Sequence, residues 1–303
     1  MNHGYSYQNT LAQSQTVNWR VEDIIGGKNK LDFSKPFMPE SLARIEPLKF
    51  LNAEEKLILN QVRGHTYLCI FGLVEEYILP FVLDHARSHL NGDDYRVRAL
   101  LEFASEEAKH IQLFRKFQEE FRAGFETECE VIGPGEEIAK VILSHSPLGV
   151  AMATLQIEWM SQRHYVDSIK DDQQLDPQFK SLLKNHWLEE AQHAKLDTLM
   201  VESLADGKSE VEILAAVEEL IDIGGFLDGG LANQVEFDMQ AFTRASGREL
   251  TEFEKEKFRI VQRQANRWTY LGTGLTHEKV LETLGALTPK ARERIESIAP
   301  AFC

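Results

Sequence analysis

The stretch "NHWLEEAQHAKLD" (residues 185–197) places an acid and an imidazole three positions apart, at Glu190 and His193. The same order occurs earlier in "FASEEAKHIQLF", where Glu107 precedes His110. Residues three apart on an α-helix lie on one face. Each Glu-x-x-His motif can therefore offer one oxygen and one nitrogen ligand to a metal ion. A single motif of this kind, however, is more typical of a solvated helix surface.

A constant offset links the two motifs to two further glutamates. The second motif lies 83 positions after the first, and Glu158 in "ATLQIEWMSQRHY" lies 83 positions after Glu75 in "IFGLVEEYILP". Each half of this region thus contains a glutamate followed 32 positions later by Glu-x-x-His. Two helices with one glutamate each and two with a Glu-x-x-His pair supply the ligands of a di-metal site in a four-helix bundle.

The ligand types suit a pair of iron ions. Iron in a buried site needs several carboxylates for charge balance, whereas neutral imidazoles leave coordination positions open for O2. Glu75 and Glu158 lie within apolar segments, and buried glutamates are rare without a compensating cation. The same nitrogen and oxygen ligands accept manganese, so a Mn/Fe pair is an alternative to Fe/Fe. The predicted ligands are Glu75, Glu107, His110, Glu158, Glu190 and His193.

One ligand position has a rival next to it. If Glu75 faces inward, Leu68 and Ile78 share its face, whereas an inward Glu76 turns Val74 and other apolar side chains outward. The offset of 83 positions also selects Glu75. We therefore expect Glu75 as the ligand and keep Glu76 as the alternative.

A third histidine breaks the symmetry between the halves. His186 lies four positions before Glu190, on the same helix face, and its counterpart under the offset is Phe103. A third imidazole would complete the coordination of one metal and make the two ions unequal. The alternative is a core histidine that lines the cavity above the site.

Three acids are candidates for supporting roles. Glu106 and Glu189 each precede a predicted ligand by one residue, and a metal-bound histidine usually donates its outer N–H to a carboxylate. Each acid could serve the histidine of the opposing helix, or it could be a solvated neighbour of the ligand. Asp197, four positions after His193, is a weaker candidate and is expected at the surface.

Helix signals dominate the chain. The capping boxes begin at Asn52, Ser209 and Thr251, and an N-cap residue precedes each of Pro147, Pro177 and Pro289. Apolar residues between these signals recur at spacings of three and four. The expected helices are 52–90, with a kink at Pro80, 94–122, 147–170, 177–205, 209–245, 251–272 and 289–298. An all-α fold follows.

The domain organisation is simple. Residues 1–50, polar and rich in prolines, are expected to form an irregular N-terminal strap. Residues 51–303 are expected to form a single helical domain, with a four-helix core at 52–205 and extra packing helices at 209–303. Glycines in "DIGGFLDGGLANQ" (222–234) would allow a close approach of another helix or of a ligand.

Composition excludes several classes of function. The chain has 303 residues, of which 43% are hydrophobic, and a formal net charge of −15, which disfavours binding to nucleic acid or to an anionic membrane. The three cysteines form no Cys-x-x-Cys pair, so neither a disulfide framework nor a thiolate metal site is expected. The N-terminus lacks the features of a signal peptide. A cytoplasmic protein is predicted.

Residues one turn from the ligands should form the walls of a substrate pocket; the alternative is that most of them belong to the core. They are Phe71, Gly72, Phe103, Leu155, Gln162 and Tyr165.

The paired motifs resemble the ferritin-like di-iron carboxylate superfamily. The triplet His186, Glu190 and His193 is similar to the motif of the para-aminobenzoate N-oxygenases, the arylamine oxygenases. That resemblance covers about residues 52–205. It implies a di-iron centre with a third histidine ligand, His186, which activates O2 and oxidises an amine toward a hydroxylamine or nitro product.

We therefore predict a di-iron oxygenase acting on a small organic substrate, with an external electron donor. The alternatives are a ferritin-like iron-handling protein, a di-iron hydroxylase or desaturase acting on carbon, and a helical protein without metal. A homodimer is compatible with the sequence, which does not specify the oligomeric state.

Overall fold

The protein is all-α, as its sequence predicts. A computed structural model describes residues 3–303, and the backbone of this part of the chain forms no β-strand. The α-helices are α1 (Tyr7–Ser14), α2 (Val21–Ile24), α3 (Glu40–Ala43), α4 (Ala53–Arg87), α5 (Asp94–Phe125), α6 (Gly135–Ile142), α7 (Pro147–Arg163), α8 (Pro177–Ala205), α9 (Glu210–Ser246), α10 (Glu252–Arg267), α11 (Thr273–Leu275), α12 (Glu278–Leu287) and α13 (Pro289–Ile298). Two π-helical segments extend α7 and α10, at His164–Ile169 and Trp268–Gly272.

The capping residues act as the sequence predicts at five of the six predicted helix starts, whereas Thr288 forms no side-chain cap on α13 and its hydroxyl donates to Glu210 instead. Asn52, Ser209 and Thr251 each form a complete capping box at the start of α4, α9 and α10. Ser146 and Asp176 cap α7 and α8 through their side chains. These contacts satisfy backbone N–H groups that would otherwise lack a partner at a helix start.

Helices α4, α5, α7 and α8 form a four-helix bundle. Helix α4 packs along α5, α7 packs along α8, and α5 contacts α8. Helix α9 packs against both α4 and α7 and so covers another side of the bundle. One contiguous apolar core joins these helices to the N-terminal segment and the C-terminal helices, through residues such as Phe37, Leu59 and Ile295. The division into a strap (1–50) and a single helical domain (51–303) stays a prediction.

Several short elements differ from the sequence prediction. The N-terminal segment contains three short helices, and residues 135–142 and 278–287 form helices that were not expected. Helix α6 does have apolar residues at helical spacing, at Ile138, Val141 and Ile142, but over fewer than the about 11 residues that a periodic signal needs. Helix α4 continues through Pro80 to Arg87.

Helix α4 is long and apolar enough to cross a membrane by length and composition. Its most apolar window has a mean hydropathy of 1.6, but 61% of that window is buried inside the protein. Core helices of globular domains have the same property, and the burial of α4 is what the bundle requires of it.

Candidate metal centre

The seven ligand candidates lie buried where α4, α5, α7 and α8 meet. Each of them is at most 4% exposed. Helix α4 supplies Glu75, α5 supplies Glu107 and His110, α7 supplies Glu158, and α8 supplies His186, Glu190 and His193. The spacing of three and four residues on α5 and α8 places the ligands of each helix on one face.

A first group of ligand atoms surrounds His110 and His186. One atom each from Glu75, His110, His186 and Glu190 lies within 4.8 Å of the others. Nε2 of His186 is 3.3 Å from Oε1 of Glu75 and 3.0 Å from Oε1 of Glu190. Nδ1 of His110 is 3.0 Å from the same Glu190 oxygen. This spacing would let a single cation contact all four side chains.

A second group surrounds His193. One atom each from Glu107, His110, Glu190 and His193 again lies within 4.8 Å of the others. Nδ1 of His193 is 2.8 Å from Oε1 of Glu107 and 3.4 Å from Oε2 of Glu190. The two groups share His110 and Glu190, so two cations held by them would be close neighbours.

Glu158 faces the same centre from α7. Burial and the nearby Glu190 carboxylate raise the pKa of Glu158 well above its usual range. Glu190 shows the opposite result: burial raises its pKa, but His186 and His193 outweigh burial and hold it well below its usual range. Opposite pKa shifts of two neighbouring buried carboxylates are typical of closely packed acidic groups.

The unpartnered atoms test whether a metal fits. Among residues 3–303, the following buried atoms find no hydrogen-bond partner: Oε2 of Glu75, both carboxylate oxygens of Glu107, Oε2 of Glu158, Oε1 of Glu190, and Nδ1 of His110 and His193. Buried polar atoms are almost always paired, and unpaired buried charge is costly. Two cations would satisfy these atoms, so the donor set fits a di-metal centre.

The outer nitrogens of two histidines contact carboxylates of the opposing helix. Nε2 of His110 is 2.9 Å from Oε2 of Glu189, and Nε2 of His193 is 2.8 Å from Oε2 of Glu106. Because each Nε2 contacts a carboxylate of the other helix, both Nδ1 atoms face the centre, as is required of ligands whose outer N–H is fixed by an acid. Lys109 forms an ion pair with Glu189.

Lys109 is a residue that the sequence reasoning missed. Its ammonium also lies 4.1 Å from the ring centroid of Trp19, which stacks at 6.0 Å on the ring of His110. The N-terminal segment therefore covers this side of the centre. The position of Lys109 between the two ligands of the first motif is the signal that could have identified it.

The structure corrects the expectation for Asp197. Asp197 is fully buried rather than at the surface, and neither of its oxygens has a hydrogen-bond partner in the described chain. Burial raises its pKa well above the usual range. One helical turn separates Asp197 from His193, so both side chains point into the bundle.

The two adjacent glutamates on α4 have different surroundings. Glu75 is 3% exposed and lies in the first ligand group. The side chain of Glu76 is 34% exposed and pairs with Arg115 at 3.3 Å. The structure therefore brings Glu75, and not Glu76, to the centre.

The predicted pocket residues separate into two sets. Phe71 and Tyr165 line a small cavity that also contacts His186. Phe103 instead stacks on His193 with 4.0 Å between ring centroids, and the amide of Gln162 donates to the carbonyl of Trp187. Gly72 packs against Phe114, and Leu155 is fully buried in the apolar core.

Comparison with solved structures found several R2-like ligand-binding oxidases. One with an aerobically reconstituted Mn/Fe cofactor has 16% sequence identity and a TM-score of 0.45, and the match covers 89% of this chain and 93% of that one. A mutant with an aerobically reconstituted Fe/Fe cofactor also has 16% identity and a TM-score of 0.45, with coverage of 88% and 93%. Comparison with protein families and with curated proteins gave no match.

Proposed function

We propose that this protein is a non-haem di-metal oxidoreductase that binds two iron ions, or one manganese and one iron, and uses O2. The observation that carries the proposal is the set of seven buried carboxylate and imidazole side chains from four helices, six of which have an atom without a hydrogen-bond partner in the described chain. Such a set is costly to bury unless cations occupy it.

Each metal would have its own ligands and two shared ones. Glu75, His110 and His186 would hold one ion, and Glu158 and His193 would hold the other. Glu107 and Glu190 would be in reach of both ions, since each lies within 4 Å of both His110 and His193. The two sites would then be unequal, with two imidazoles on one ion and one on the other.

When bound, the metal pair would supply the binding and reduction of O2. The chain itself would exclude water, because all seven side chains are buried. Glu189 and Glu106 would accept the outer N–H protons of His110 and His193 and so hold both rings with Nδ1 toward the centre. Exclusion of water limits side reactions of the reduced oxygen species with solvent.

The finer proposal is an oxygenase that oxidises a small organic substrate, with N-oxygenation of an amine as the first reaction to test. The His186, Glu190 and His193 triplet supports it through its similarity to the arylamine oxygenases. Oxidation of a carbon substrate and ferritin-like iron handling are the competing outcomes. An external electron donor and a cytoplasmic location belong to the same proposal.

Metal content is the first experiment. The protein would be loaded anaerobically with Fe(II), desalted, analysed by mass spectrometry and then exposed to O2 in a stopped-flow spectrometer. Two irons per chain and a transient visible band are expected, whereas many irons per assembly would indicate storage. Amine turnover would then be assayed directly.

Glu107→Ala is the matching variant and Glu119→Ala its control on the same helix. Glu107 contacts both inner imidazoles, whereas Glu119 lies at the surface beside Lys116. Glu107→Ala should lose stoichiometric metal, and Glu119→Ala should keep two ions per chain. If Glu107→Ala still bound two ions, the proposed centre would be wrong.

A further inference from the structure

Three neighbouring cavities lie between the surface and the imidazole of His186. The outer groove has a volume of about 510 Å³ and lies between α9 and the segment around α6, with Ile132, Ile138, Phe226, Leu227 and Phe237 in its walls. The inner chamber, of about 40 Å³, is bounded by Ile70, Phe71, Ile157, Leu231 and Tyr270, among others. The histidine chamber, of about 10 Å³, contacts His186 itself.

Shared walls show that the cavities follow one another. Ile132 and Leu227 line both the outer groove and the inner chamber. Phe71 lines both the inner chamber and the histidine chamber, and its ring packs edge-on against His186 with centroids 5.7 Å apart. Two side chains therefore separate the groove from the chamber, and one ring separates the chamber from a candidate ligand.

One of the glycines of α9, Gly230, lines the outer groove. A Cβ at Gly224, Gly225 or Gly229 would meet no heavy atom within 4 Å in the described chain, so close packing of another helix is not their role. A Cβ at Gly230 would lie 3.2 Å from Cδ1 of Ile132, so the absence of a side chain gives Ile132 its place at the constriction.

The inner chamber restricts what can enter, because its lining is less polar than that of the outer groove, which includes Asn233 and Glu236. No charged side chain lines the inner chamber within residues 3–303, and its walls are apolar apart from Tyr270. The Tyr270 hydroxyl is buried and has no hydrogen-bond partner in that part of the chain. Arg63 is not among the lining residues, and it pairs with Asp238 at 3.5 Å and with Asn266, although its Nε has no hydrogen-bond partner in the described chain. None of the side chains that line the inner chamber would therefore pair with a carboxylate.

Both π-helical segments contribute to the route. Tyr165 belongs to the first and lines the histidine chamber, and Tyr270 belongs to the second and lines the inner chamber. Such insertions into α-helices are frequent at functional sites, because they displace side chains from the regular helical register.

We propose that the outer groove and inner chamber form the binding site and entry route for a small, uncharged, mainly apolar molecule with one hydrogen-bonding group. Leu227 and Ile132 form the constriction, and the Tyr270 hydroxyl binds the polar group. The volume of the groove is within the usual range for small-molecule sites. The chamber is smaller than a ring requires, so the two constriction residues must move when a ligand enters.

The use of this site in oxidation rests on the proposed function, but binding can be measured without metal. The full-length chain, with and without iron, would be titrated with 2-naphthol, naphthalene and 2-naphthoate by fluorescence. The expected order of affinity is 2-naphthol, then naphthalene a few-fold weaker, then the naphthoate anion at least tenfold weaker. Equal or tighter binding of 2-naphthoate, or no binding of 2-naphthol, would overturn the proposal.

Variants locate the binding site. Leu227→Trp should weaken 2-naphthol binding at least tenfold by filling the constriction, and Tyr270→Phe should make 2-naphthol and naphthalene bind alike. Gln112→Trp is the control, because it fills a groove of about 480 Å³ elsewhere on the surface and should change nothing. Ile132→Trp replaces Leu227→Trp if the latter does not fold.

The two proposals can fail separately. Loss of 2-naphthol binding in Leu227→Trp with two irons still bound per chain supports both. Unchanged binding in a folded Leu227→Trp or Ile132→Trp variant contradicts the entry route and leaves the metal centre untouched. Binding of 2-naphthol to a chain that takes up no metal would keep the site and reject the proposed function.

Discussion

The two halves of the bundle, α4 with α5 and α7 with α8, supply matching ligands but differ around them. Where the second half has His186 and His164, the first half has Phe103 and Phe81 at the corresponding positions, 83 residues earlier. Phe103 stacks on His193, whereas His186 joins a ligand group. The spacing of the ligands is thus symmetric, and the polarity of their surroundings is not.

The largest expected effect in this comparison comes from His186→Ala. It should leave a folded bundle that still takes up two ions, because His186 belongs to one ligand group only, whereas Glu107 is close to both inner histidines. It should still weaken binding of the first ion and change the visible spectrum of the oxidised centre. Phe103→Ala in the other half should change neither. An unaltered spectrum in His186→Ala would mean that His186 is a core histidine and not a ligand.

Variants of Glu189 and Glu106 test the hydrogen bonds that link each carboxylate to the histidine of the other half. Glu189→Gln and Glu106→Gln should each lower metal affinity about 10- to 100-fold, because both histidines lose the charged acceptor for their outer N–H. Competition with a fluorescent chelator would measure the metal affinity of each variant. Wild-type affinity in both variants would show that these acids are only neighbours of the ligands.

Replacement of Lys109 should change the metal affinity less, and in the opposite direction. Lys109→Met removes a positive charge from the Glu189 and His110 side alone, so that side should bind its ion about two- to fivefold more tightly, consistent with a partly exposed charge. Lys109→Arg should behave as wild type. Weaker binding in Lys109→Met would indicate that the lysine acts by positioning Glu189.

His164, the polar counterpart of Phe81, should affect the stability of the fold rather than metal binding. Nδ1 of His164 is 2.8 Å from the Tyr67 hydroxyl, Nε2 is 2.8 Å from the hydroxyl of Thr273, and burial lowers its pKa to about 3. Below pH 6.5 the unfolded chain binds a proton that the folded chain does not. As the pH decreases below 6.5, the free energy of unfolding should therefore decrease, by up to about 1.4 kcal/mol per pH unit from this group.

His164→Gln should remove this pH dependence. Urea denaturation at pH 7 and pH 4.5 would give the free energy of unfolding of both proteins. The advantage of the wild type over the variant should shrink on acidification, and a constant difference between them would contradict the assignment.

Much of the architecture was accessible from the sequence, for local reasons. Capping boxes and prolines mark helix starts through contacts within one turn, so the starts of α4, α7, α8 and α9 were predicted to within one residue. The short helices α6 and α12 were not, since their helical spacing of apolar residues covers fewer than the about 11 residues that a periodic signal needs.

The sequence by itself determined the all-α fold and the candidate ligands, because helical spacing and a repeated offset are properties of the chain alone. Only the tertiary structure decided what depends on neighbours distant in sequence. It buried Asp197, paired Lys109 with Glu189, and aligned the cavities between α9 and His186. The physical reason is that burial, ion pairing and cavity shape arise between helices, where no periodicity within one helix can specify them.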